Sequence, residues 1–127
     1  MSKAELLART KSFSLRILKL VDHLPRTMSG RAVGSQVRCG TSIGANYRAA
    51  CRSRSRAEFT AKLGIVPEEA DETVYWLELL RDANLLSEAK LSELLREANQ
   101  LTAIFRAGRR SSSRSQTSNI KHQTLSP

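Results

Sequence analysis

Aromatic side chains are scarce in this chain, with one Trp, two Tyr and three Phe among 127 residues, and Pro is limited to three positions. A composition this poor in aromatic residues and this rich in Leu, Ala, Glu and Arg disfavours sheet and favours helix. No apolar run approaches the roughly 18 to 20 residues that cross a bilayer, so no membrane partner is expected. The N-terminal Met-Ser-Lys-Ala-Glu-Leu-Leu-Ala-Arg has no long apolar core, so no secretory leader is expected either. Only Cys39 and Cys51 are available as thiols. Two cysteines without motif spacing read as reduced thiols of a cytoplasmic protein.

Catalytic patterns are missing too. His23 stands near the end of the first predicted helix and His122 in the tail, and neither is paired by spacing with a nucleophile. Glu69 and Glu72 share a helix face, but the Glu-x-x-His repeats of a di-iron bundle are lacking. No glycine-rich phosphate loop follows a strand. The expectation is a protein that is not an enzyme and carries no cofactor or metal.

What is present is positive charge, unevenly placed. The net charge is +9, with 13 Lys/Arg against 3 Asp/Glu in residues 1–66, 4 against 9 in 67–108, and 4 against none in 109–127. A basic half and a basic tail around an acidic segment fit polyanion contact, or head-to-tail charge pairing between subunits.

Four helices are predicted. The first runs from Lys3 to Leu24, opened by a Ser2/Glu5 capping box and closed by Pro25. Its apolar stripe is Leu6, Phe13, Ile17, Leu20 and Leu24. The second spans Gly30 to Arg52, with Val33, Val37, Gly40, Ile43, Gly44, Tyr47, Ala50 and Cys51 on one arc. Gly40 and Gly44 within that arc read as sites of close helix approach. Arg31, Arg38, Arg48 and Arg52 fall together on the opposite side, and Arg54 and Arg56 follow in the turn.

The third helix starts at a second capping box, Ser55/Glu58, and ends near Asn84. Pro67 lies inside a stripe that keeps its phase (Phe59, Leu63, Val66, Ala70, Val74, Leu77, Leu80), which favours one kinked helix over two. A second line on it, Ile65, Glu69, Glu72, Trp76 and Leu79, exceeds what a single-chain bundle must bury. It reads as an oligomer interface anchored by Trp76, or else as a wider buried arc. The fourth helix runs from Ser87 to about Gly108, and the apolar-free stretch after it reads as disordered. The fold class is therefore all-α: an antiparallel up-down four-helix bundle over 1–108, with a disordered basic tail over 109–127.

Gln36, Ser42-Ile43, Asn46, Arg54-Ser55, Glu58-Phe59, Glu69, Glu72 and Trp76-Leu77 together resemble the bacterial four-helix bundle proteins often encoded in intervening sequences of 23S ribosomal RNA genes. The likeness covers residues 4–108 and departs at Ala49, Ala50 and Pro67. It implies an up-down bundle, a ring-like homopentamer and contact with nucleic acid. A similar accessory protein of diversity-generating retroelements implies a reverse transcriptase as a further partner. The functional expectation is a bundle that binds RNA or DNA through Arg31, Arg38, Arg48, Arg52, Arg54 and Arg56. The alternative is a protein-interaction scaffold that makes no direct contact with nucleic acid.

Overall fold

The computed structural model describes the backbone of residues 1–125 and the side chains of residues 1–114. Six α-helices and one 3-10 turn form four antiparallel columns: α1 (Lys3–Asp22), α2 (Met28–Val37) with a 3-10 turn (Arg38–Thr41) and α3 (Ser42–Cys51), α4 (Arg56–Leu63) with α5 (Ile65–Asp82), and α6 (Glu88–Leu125).

Each column starts and stops where side-chain chemistry dictates. Ser2 Oγ accepts from the Glu5 amide, Thr27 Oγ1 from the Gly30 amide and Ser55 Oγ from the Glu58 amide, so three helix starts have an orphan donor satisfied. Helix α5 stops in a Schellman motif. Asn84 takes the left-handed conformation at φ 57°. The Leu85 amide then bonds the Leu80 carbonyl and the Asn84 amide bonds that of Arg81.

Two predicted helices are interrupted. The second becomes α2 and α3 because the chain tightens into a 3-10 turn around Gly40, where neighbouring helices approach closely. A Cβ on Gly40 would stand 2.9 Å from Ile17 Cγ1 and 3.2 Å from Thr73 Cγ2, so α1 and α5 both press on this turn. Gly44 lies similarly against Thr10 of α1. The third predicted helix breaks at Gly64, one turn before Pro67. Pro67 falls in the first turn of α5, where its missing N–H leaves no helical bond unmade. Gly64 keeps helical dihedrals (φ −66°, ψ −25°), so the column kinks without reversing.

The stripes close on a single core. Phe13, Ile17, Val37, Ile43, Val66, Leu77, Leu80, Leu91, Leu101 and Phe105 are buried, and the Tyr47 and Phe105 rings meet at 5.1 Å between α3 and α6. Helix α6 does not end at the predicted Gly108. It continues with Ser112 buried and hydrogen-bonded to Thr60 Oγ1 of α4 at 2.5 Å. An exposed glycine costs about 1 kcal/mol in a helix, too little to end one that is packed on both sides of it. The expected disorder further along the tail concerns residues 115–127, whose side chains lie outside the described residues.

Up-down order decides which ends of the columns meet. Lys3 at the start of α1, Arg52 after α3, Arg56 at the start of α4 and Ser112 of α6 all belong to one pole of the bundle. Among the described residues, no helix is long and apolar enough to cross a membrane.

Candidate nucleic-acid interface

A groove of about 420 Å³ runs between α1 and α3. Its floor includes Leu7, Thr10, Gly44 and Cys51, and its cations are Lys3, Lys11, Arg48 and Arg52. A second groove, of about 490 Å³, continues it around the α3–α4 corner, shares Lys3 and Cys51, and adds Arg54 and Arg56. Among the described residues, no carboxylate lines either groove.

The corner holds five cations and one carboxylate between residues 48 and 62. That carboxylate, Glu58, is already engaged: Lys62 Nζ lies 2.9 Å from Oε1, and the Arg54 backbone amide donates to Oε2 at 3.2 Å. The two contacts, Lys62 first, hold the Glu58 carboxyl below its ordinary value. Among the described residues, none of Lys3, Lys11, Arg48, Arg52, Arg54 and Arg56 has an ion-pair partner within 4.0 Å. Helix geometry therefore holds six cations on one surface with their charge uncompensated.

The six arginines read from the sequence do not form one face. Arg48, Arg52, Arg54 and Arg56 come together at the corner, whereas Arg31 and Arg38 line a separate groove of about 360 Å³ with Arg26 and Asp22. Ten residues separate Arg38 from Arg48, roughly 15 Å along the column, a distance that a helical wheel does not display. Lys3 and Lys11 were missed as site residues, although their i, i+8 spacing puts them on the same side of α1.

The line on α5 also divides. Ile65 is 49% exposed and Glu72 is exposed, whereas Trp76 and Leu79 are half-buried, with Trp76 packed at the edge of the core. Trp76 Nε1 donates to Glu72 Oε1 at 3.3 Å, and its ring meets exposed Tyr75 edge-on at 5.0 Å. Glu69 turns to its own chain, accepting from Asn46 Nδ2 of α3 at 2.6 Å. Burial first, and then the charge of Glu72, raise its carboxyl above the ordinary value against the opposing effect of the Asn46 bond. Cys39 and Cys51 are free and half-buried. Burial and a hydrogen bond with Cys51 push Tyr47 up to about 12.

The sequence model of the 23S rRNA-intervening sequence protein family matches residues 2–107. The chain belongs to that family. A solved structure from Bacteroides thetaiotaomicron, a protein of unknown function from the S23 ribosomal protein family, is 30% identical with a TM-score of 0.79. The likeness covers 87% of this chain and 99% of that one. No curated protein matches the chain. Neither description names a reaction. The family match takes in the whole corner and stops before Arg109, Arg110 and Arg114.

Proposed function

We propose that this family member is a non-enzymatic, cytoplasmic helical bundle that binds RNA or DNA by its phosphate backbone, as an accessory factor to a nucleic-acid enzyme such as a reverse transcriptase. The observation that carries the reading is the pair of continuous grooves lined, among the described residues, by six uncompensated cations and no carboxylate. Phosphates are the ligand such a surface favours, because each one neutralised releases condensed counterions.

Fluorescence anisotropy with random-sequence RNA and DNA at about 50 mM salt tests the proposal, since phosphate contacts are strongest at low salt. Binding that weakens steeply with salt is expected, and Arg48→Glu/Arg52→Glu should abolish it with helicity unchanged. Absence of binding below tens of micromolar would overturn the reading and favour a scaffold for an acidic partner protein.

We also infer self-association, in a ring such as a homopentamer, through the outer face of α5. Exposed Tyr75 beside half-buried Trp76, with exposed Ile65 about three turns away on the same helix, supports it, since a monomer gains nothing from holding them there.

A further inference from the structure

The arginines after Gly108 lie outside the family-matched part, yet the fold delivers them to the basic pole. Two contacts fix their place. Ser112 bonds Thr60 of α4, and the Arg109 guanidinium lies over Gly64, with Nε 3.3 Å from where a Cβ on that glycine would be. Helices α4 and α6 run antiparallel, so advancing along α6 from Ser112 moves toward the start of α4. At about 1.5 Å per residue, Arg114 comes within roughly 3 Å of the axial level of Arg56. Arg109, Arg110 and Arg114 are exposed, and residues 106–114 hold four arginines and no carboxylate. Among the described residues, Arg106 alone of these four has an ion pair, with Asp71 at 3.4 Å.

Resting on the proposed function, we infer that the binding surface is bipartite, with the corner arginines as one half and the α6 arginines Arg109, Arg110 and Arg114 as the other. We assign double-stranded nucleic acid, held by its phosphates, as the occupant that spans both.

Two properties of the pole favour a duplex. Cations from different helices are mounted side by side across the end of the bundle, which suits a wide ligand with phosphates on two strands. Among the described residues, the two aromatic rings that line this surface, Tyr47 and Phe59, are sunk into the groove wall rather than standing free. Tyr47 is buried and Phe59 half-buried, while exposed Tyr75 belongs to α5 well away from the corner. Proteins that hold single strands without sequence preference rely on free-standing rings for stacking.

The test is a salt titration of duplex binding by the full chain and by Arg109→Gln/Arg110→Gln/Arg114→Gln, with circular dichroism to verify folding. Each phosphate contact contributes about 0.9 to the slope of log K against log salt, so the variant's slope should be shallower by about 2 to 3. Affinity at about 100 mM salt should fall by at least tenfold, and duplexes should outcompete equal-length oligo-dT. If the triple variant misfolds, Arg110→Gln/Arg114→Gln carries the same expectation at about 2 in slope, since it leaves Arg109 over Gly64. An unchanged slope, in a protein that Arg48→Glu/Arg52→Glu inactivates, would overturn the bipartite surface and leave the corner site standing. Equal or tighter binding of oligo-dT would overturn the duplex assignment. No binding by the unaltered chain would remove both the inference and the function on which it rests.

Discussion

Asn46 of α3 donates its amide to Glu69 of α5 across 2.6 Å, joining the second and third columns of the bundle. The pair combines two residues on which the family resemblance rests, and its bond gives both a structural purpose. The carboxylate is half-buried, and desolvation is the larger influence on it, so its pKa lies above the ordinary value.

The sign of the resulting pH effect follows. A carboxyl that holds its proton more tightly when folded adds most stability below its unfolded pKa, and that share is lost as pH rises through the folded value. Glu69→Gln keeps an acceptor for Asn46 and never ionises. Urea midpoints from about pH 4 to about pH 7 should therefore vary less in this variant, which should equal or exceed the parent in stability at neutral pH. Glu69→Ala, by contrast, leaves the Asn46 amide without its partner and should cost about 1 kcal/mol.

Gly40 and Gly108 should respond oppositely to alanine. A methyl group at Gly40 meets Ile17 and Thr73 inside normal contact distance, so Gly40→Ala should destabilise by about 1 to 3 kcal/mol. Among the described residues, nothing lies within 4 Å of a Cβ at Gly108, in the interior of α6, so Gly108→Ala should stabilise by up to about 1 kcal/mol. Thermal melts of the two variants decide this.

Trp76→Ala should shift the mass measured by light scattering toward the monomer, with helicity largely kept because Trp76 sits at the core's edge. An unchanged mass would count against an α5 interface.

The two thiols offer a footprint. Cys51 lines both basic grooves, whereas Cys39 lines neither and lies 3.3 Å from Thr73 Oγ1. Bound nucleic acid should slow alkylation of Cys51 and leave Cys39 at its original rate, as read by peptide mass spectrometry. Equal protection at both positions would argue against the grooves.

Much of the architecture was legible because it rests on local signals. The Ser2 and Ser55 caps, the Asn84 stop and the phase of each apolar stripe act within a few residues of one another. The interruption at the 3-10 turn was not legible, since it falls where Ile17 and Thr73, distant in sequence, pack close to Gly40. A wheel also hides the roughly 15 Å of column that separates Arg38 from Arg48, so the two grooves they line are not distinguished by it. The α6 extension was hidden for a related reason: residues 109–114 carry no apolar pattern, and what holds them is a Thr60–Ser112 hydroxyl pair rather than a stripe. The cation cluster could be anticipated by sign but not by membership, because Lys3 joins it only when the columns are stacked.

The kink upstream of Pro67 leaves α4 only eight residues long, burying just Thr60 and Leu63. Isolated helices of that length are not stable in water, so α4 persists by its cap and its contacts with neighbouring columns. Opening it breaks few apolar contacts, which makes it a separate cooperative unit of lower local stability. In hydrogen exchange its amides should therefore exchange ahead of those of α5. The corner arginines thus stand at the edge of a segment expected to open ahead of α5, and a ligand that clamps them should slow that exchange.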